Sequence, residues 1–572
     1  MFRNTIAALI AVAAVAAPAT AQHPTFSLDT LRVGVGSRTM ADLASTTRTV
    51  DVVTVERIAQ LPVRTLNEVL AYTLGVDLQS RSPAQADLSL RGSSFEQVLV
   101  LVDGVRMSDA QTAHFDLDLA IPLSEIERIE VLRGPATALY GSDAVGGVVN
   151  IVTRRGDDLR VSLDGGSFGT FGIGAAAGVT GRDHALRVSA EARRSDGHRE
   201  GTDYETIQAR LAADTRLAGR TLRADVGLAV RDFGARAFYT PANAPYDEYE
   251  ETRTATASLA WLAPAGAKFG LEPRLSFRRH DDEYLLDRND PSLYRNVHTT
   301  WRYGGELIAR YAATPSVRLA FGGEAYREKL ESNSLGEREE DRAALFAEAV
   351  AGDAARATLS AGLRADWYSA FGTFVAPSLA GSYGLTDALR LRASVGRSFR
   401  APSWTDRYYV SPANVGSPDL DPERAWEAEL GADFAPTTDV RVSVTGFVRD
   451  AEALIDWAQP AGEPEAVWRT RNVAEARFHG IEVEAVGARL LGARWTIGAT
   501  ALRFDAANDD AYTSRYVLRP LTRTALIGVE RDLLGGLDAA ARLSYGRRAG
   551  EAVPSVVNGA CVASPLPMST RH

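Results

Sequence analysis

The chain has 572 residues, a formal net charge of −10 and a pI of about 5.5. That balance excludes a nucleic-acid partner, which needs a basic stripe. A single cysteine, Cys561, excludes an internal disulfide framework and a cysteine-based metal centre.

The chain opens on Met1-Phe2-Arg3-Asn4, an apolar run from Ile6 to Ala17, then Ala19-Thr20-Ala21 before Gln22. A basic start, a short apolar middle and a small-residue end predict a secretory signal peptide over residues 1–21. The run is shorter than the ~20 residues a helix needs to cross a bilayer, and no later stretch reaches that length. The exported chain is therefore soluble and secreted, or crosses a membrane as a closed barrel.

Residues 22–40 precede a stretch, 41–153, that reads as a small mixed α/β domain. Thr65 to Leu74 is helix-like. Gln97 to Val102 reads as a strand ending on Asp103-Gly104, a strong hairpin signal. Ile126 to Leu132 reads as another, Ile129 and Val131 alternating with Glu130. Residues 154–158, Arg154-Arg155-Gly156-Asp157-Asp158, form a junction.

From 159 to about 550 one pattern repeats. Leu186 to Arg193, Leu222 to Leu228, Leu389 to Val395 and Val440 to Val444 all alternate apolar with polar residues. The longest run, Ala355 to Trp367, puts Leu359, Leu363 and Trp367 on one face and Arg356, Arg364 and Asp366 on the other. Period-two alternation predicts strands. Segments of about ten residues, a charged second face, and short turns such as Gly181 to His184 alternating with long polar excursions favour a transmembrane barrel over a soluble sandwich. The long excursions are 234–250, 281–297, 330–340, 402–423 and 456–468. No Gly-x-Ser-x-Gly elbow and no His-Glu-x-x-His pair occurs, so nothing points to an enzyme.

Several motifs resemble TonB-dependent outer-membrane receptors. Leu90-Arg91-Gly92 with Val98 to Arg106, and Ile126 to Pro135 running on through Leu139 to Thr153, are similar to the plug domain of that family, in the correct order. Phe399-Arg400-Ala401-Pro402, Leu420-Asp421-Pro422-Glu423 and Phe478-His479-Gly480-Ile481-Glu482 look like its barrel. Asp29-Thr30-Leu31-Arg32-Val33 looks like a TonB box, an extended peptide suited to strand addition on a partner. Among subfamilies, Leu28 to Arg38 and Tyr140 to Thr153 are most similar to cobalamin transporters.

The resemblance implies an all-β membrane fold: a 22-stranded-type antiparallel barrel with an N-terminal plug in its lumen. It implies a monomeric transporter in the outer membrane of a Gram-negative-type bacterium, surrounded by lipid and driven through TonB with ExbB and ExbD. It imports a scarce bulky nutrient, cobalamin first; iron-siderophore or haem receptors share most of the motifs. A surface binding or adhesion barrel and a secreted β-rich enzyme are the readings from other classes. Family plugs are held by two arginines on barrel glutamates; the matching positions are Arg91 and Arg133, with Glu429 and Glu482. Expected ligand contacts are Gln111, His114, Phe115 and Asp116 of the plug loop, with His114 a candidate contact to a cobalt or iron centre. Tyr239, Tyr246, Trp404 and Tyr408 of the outer loops join them. No cofactor is required, but cobalamin transporters bind calcium on loop acids, and Asp281, Asp282 and Glu283 are the densest cluster here.

The strands number roughly nineteen, and the stretch 551–572 has no alternating terminal strand with an aromatic end. A truncation or frameshift removing the last strands is the expectation, because bacterial single-chain barrels close on an even number.

Overall fold

The computed structural model describes residues 32–564, except positions 44–45, 81, 241–242, 265, 354–355, 438, 464–465, 491, 509–511, 518, 534–537, 550–552 and 558–559. The predicted signal peptide lies outside the described residues.

The large sheet grows from the alternation itself. Along Ala357–Tyr368, Leu359, Leu363 and Trp367 are 53%, 54% and 47% exposed, whereas Arg364 and Asp366 are 1% and 4% exposed. A soluble sandwich would show the reverse. Apolar side chains point outward and charges point in, the pattern of a membrane barrel wall. The sheet holds 21 strands in sequence order from Arg160–Gly165 to Asp538–Arg548. Two of them, Asn414–Val415 and Tyr512–Ser514, are short loop pieces, which leaves nineteen long strands. The long strands pair antiparallel with their neighbours in the chain. Among the described residues no pairing joins the first strand to the last. Val553–Val557 and Ala560–Ser564 form a separate hairpin.

The strands run further outward than their alternation predicts. Phe269–Leu285 and Arg295–Thr314 leave only 286–294 as loop where 281–297 was expected. Val440–Pro460 and Trp468–Leu490, 21 and 23 residues long, shorten 456–468 to 461–467. Val317–Ser332 and Arg338–Asp353 similarly shorten 330–340. Cross-strand hydrogen bonding continues past the membrane and overrides the polar composition of these segments.

The first domain sits in the lumen. Its five-stranded sheet runs Thr49–Thr54, Ile126–Arg133, Gly147–Thr153, Val98–Val102, Val105–Arg106, with one parallel pairing between Val98–Val102 and Gly147–Thr153. Asp103 and Gly104 both take positive φ, 48° and 77°, as the two-residue turn between Val98–Val102 and Val105–Arg106 requires. The helix Leu66–Ala71 starts on a capping box of Thr65 with Glu68. Gly147 is needed for space: a Cβ there would collide with the Leu132 carbonyl. The core gathers Val69, Leu70, Val98, Val100, Ile129 and Ile151.

Candidate functional site

Arg91 follows the strand Ala86–Leu90 at φ +50°, with Gly92 behind it at +72°. Its guanidinium reaches the barrel wall. Nε and Nη2 donate to Glu482 Oε2 at 3.1 and 2.6 Å, and Nη1 pairs with Glu429. Arg133, the last residue of its strand, donates from Nη1 to the same Glu482 oxygen at 3.0 Å and pairs with Asp51. The structure thus brings together all four residues chosen for the plug–barrel contact, and the side chains of Arg91, Arg133, Glu429 and Glu482 are at most 4% exposed. Asp51, Thr49 (Oγ1 to Glu429 at 3.3 Å) and the Phe447 ring, 4.6 Å from the Arg91 guanidinium carbon, were not foreseen. Gly134 follows at φ +93°, where a Cβ would strike the Glu429 carboxylate. Burial works against the charge on Arg91, but Glu429 and Glu482 outweigh it and raise the guanidinium pKa.

Toward the chain start, Asp29, Thr30 and Leu31 lie outside the described residues. Arg32–Val33 pairs antiparallel with Ala41–Asp42. Val33 is fully buried beside Val35, Val50, Leu99 and Leu101, so presenting it to a partner requires withdrawing it from that core. Close behind, Arg38 Nη2 meets Glu306 at 2.6 Å, and its backbone N–H donates to Glu348 at 2.7 Å.

On the outer side, the plug loop after Arg106 is held from below. Asp109 accepts from Arg278 and from Thr300 Oγ1 at 2.8 Å. Burial raises a carboxyl pKa, but Arg278 overrides it and keeps Asp109 at about 2. Asp116 accepts the Asp109 backbone N–H at 3.0 Å, and burial raises its pKa well above the ordinary value. Gln111 Nε2 donates to Asp282 at 3.3 Å. His114, in the 3-10 turn Ala113–Phe115, places Nδ1 2.7 Å from Asp87 Oδ1. Its ring stacks on Phe95, centroids 4.4 Å apart, and meets Tyr239 and Tyr516 edge-on at 6.3 and 6.5 Å. These four rings form an aromatic floor for the outer vestibule.

Not every predicted contact faces that floor. Phe115 is buried against His280, and Asp116 is buried beneath the loop. Trp404 is buried with Leu330 and Leu335, because the helix Trp404–Tyr408 folds inward and its first backbone N–H donates to Ala110 at 3.0 Å. Tyr408 lies under the Arg338 and Arg407 guanidinium groups, and Tyr246 is half-buried in the loop 235–248. Phe95, Asp87 and Tyr516 were missed. A capping box of Ser94 with Gln97 marks the turn that carries Phe95, but nothing local links it to residue 516.

Asp281, Asp282 and Glu283 do not converge. All three lie on the strand Phe269–Leu285, where neighbours point to opposite faces. Asp282 is inside with Gln111; Asp281 and Glu283 are on the outer wall, bonded to Arg279 and Arg295. Among the described residues no three His, Cys, Asp or Glu are grouped to hold a metal ion, so these acids do not fit a calcium site.

A family model described as "TonB dependent receptor-like, beta-barrel" matches residues 146–559, and "TonB-dependent Receptor Plug Domain" matches 42–148. The chain is 29% identical over 454 residues to the "Vitamin B12 transporter BtuB" of Photobacterium profundum, covering 76% of this chain and 72% of that protein. It is 28% identical over 473 residues to the protein of that name from Vibrio vulnificus, covering 77% and 73%. Solved structures alike in fold include the siderophore receptor PirA of Acinetobacter baumannii, with TM-score 0.70, 19% identity and coverage of 86% and 85%. A mutant of the Pseudomonas aeruginosa ferric enterobactin receptor PfeA has TM-score 0.72, 20% identity and coverage of 87% and 85%.

Proposed function

The chain belongs to the TonB-dependent receptors, a family of outer-membrane transporters, and from that premise we propose that its cargo is a cobalamin. The observation that carries this reading is the sequence identity to proteins named vitamin B12 transporter, extending over three quarters of the chain. The vestibule agrees with it: the rings of Phe95, His114, Tyr239 and Tyr516 line it with apolar surface suited to a macrocycle.

In this reading cargo settles on the aromatic floor while the plug stays seated on Glu429 and Glu482. TonB, energised through ExbB and ExbD by the inner-membrane proton gradient, grips Asp29 to Val33 and pulls the plug out of register with the wall. The outward apolar faces of the strands rest in outer-membrane lipid, one chain to a transporter. The chain moves its cargo without catalysing a reaction on it. The siderophore receptors of similar fold are the second reading, since those likenesses are of fold alone.

Titration of cobalamin onto outer-membrane vesicles carrying the full chain tests the choice. Saturable binding that ferric chelates do not displace is expected. Folded protein that binds a ferric siderophore and ignores cobalamin overturns it.

A further inference from the structure

We propose that His114 is an axial ligand for the metal of the cargo, donating its Nε2 lone pair to the cobalt of a corrin resting on the vestibule floor. The proposal rests on the cobalamin reading above.

The geometry of one pair carries it. His114 Nδ1 lies 2.7 Å from Asp87 Oδ1, and the side chain of Asp87 is 3% exposed. An ionised carboxylate only accepts hydrogen bonds, so in the neutral imidazole the proton sits on Nδ1 and Nε2 presents a bare lone pair. The two nitrogens occupy opposite sides of the ring, so Nε2 points away from Asp87. A carboxylate bonded to the far nitrogen also raises the basicity of a metal-ligating imidazole and fixes its orientation. Stacking on Phe95, with 21° between the planes, and edge contacts from Tyr239 and Tyr516 prevent the ring from turning.

The other histidines near the vestibule are used differently. His280 is fully buried, with Nδ1 on Thr254, and His298 is buried on Ser332. His114 is 13% exposed at the plug apex, and among the described residues Nε2 has no hydrogen-bond partner. A histidine serving only to hold the loop would not need its second nitrogen left without a hydrogen bond among the described residues.

The step is ligand exchange. In aquocobalamin a water occupies an axial position of cobalt(III). The bond from Nε2 to cobalt forms as that water leaves. No electron is transferred, and the Nδ1 proton stays on its bond to Asp87. Cyanocobalamin holds its axial cyanide tightly, does not exchange in this way, and serves as the control.

The experiment uses purified full-chain protein titrated with both forms while the visible absorption of the corrin is followed. Wild type should shift aquocobalamin to the spectrum of its imidazole adduct and bind it at least tenfold tighter than cyanocobalamin. His114→Ala should lose the shift and bind the two forms equally, the readout being the ratio of the two affinities and not either one alone. If that variant does not fold, His114→Gln keeps the bond to Asp87 without the imidazole and answers the same question. Asp87→Asn should weaken the preference and keep part of the shift. Cyanocobalamin binding with no shift of aquocobalamin by wild type overturns the axial role and leaves the cobalamin reading standing. A shift that survives in the His114 variant also overturns it. Folded wild type that binds neither form overturns both.

Discussion

Arg91 and Glu482 come from segments 391 positions apart, and two guanidinium nitrogens of Arg91, at 2.6 and 3.1 Å, share one oxygen of Glu482. With Arg133 on that same oxygen at 3.0 Å, a single barrel carboxylate carries two plug cations. The contact is nearly dry, so its net contribution is small while the cost of breaking it is large. A seat that forms fully or fails suits a plug that must hold in one state and release in another.

Arg91→Ala leaves Glu429 and part of Glu482 as uncompensated buried charge. Plug seating should weaken by roughly 3–5 kcal/mol, read as faster amide exchange in Val98–Val102 and Gly147–Thr153 with barrel strands unchanged. The double variant Arg91→Ala with Glu482→Ala should recover part of that loss. Equal exchange in wild type and Arg91→Ala would show that the contact does not seat the plug.

Asp109 and Asp116 should answer pH with opposite sign. The folded value of Asp109, about 2, is below its ordinary 3.8. Its stabilisation is complete above pH ~4 and disappears as pH falls toward 2, a swing of roughly 2 kcal/mol. Asp116 is raised, so the fold favours its neutral form and its contribution falls as pH rises. At pH 7 Asp109→Asn should therefore destabilise the plug loop while Asp116→Asn is neutral or stabilising. Thermal unfolding of the two variants at pH 7 and pH 4 checks this, and matched losses at pH 7 would refute it.

Asp456 accepts the backbone N–H groups of Tyr516 and Val517 at 2.8 and 2.9 Å and the Ser514 hydroxyl. It is the clip that places Tyr516 on the vestibule floor. Asp456→Ala should release that loop and lower cargo affinity about tenfold, as expected from losing ~1.4 kcal/mol of preorganised contact. Plug exchange should not change. Unaltered affinity would mean that Tyr516 does not touch the cargo.

Deleting Asp29 to Leu31, which leaves Val33 in its core, should abolish uptake and leave surface binding intact, because the core and the floor keep all their residues. Uptake assays on cells with labelled cobalamin decide it; transport surviving the deletion would mean that pulling there does not move the plug.

The barrel was legible in the sequence because alternation is local: Leu359, Leu363 and Trp367 against Arg364 and Asp366 can be read within nine residues of chain. So were the turn at Asp103-Gly104 and the helix start at Thr65, each set by residues within four positions of one another. The four charges of the plug seat could be named from motif resemblance. The convergence of both arginines on one Glu482 oxygen could not, because it depends on the register of every strand between them. The same holds where expectation and structure part. Trp404 reads as a free loop aromatic but is buried, since its helix caps the plug loop. Asp281 to Glu283 reads as a cluster but is divided across a wall, since strand pairing extends past the polar run. The sequence by itself determined which residues alternate, turn and cap. Only the tertiary structure decided which of them meet: Asp87 with His114, Phe95 with Tyr516, Arg91 with Glu482. Those distances are set by closing the wall around a plug, and no local pattern encodes them.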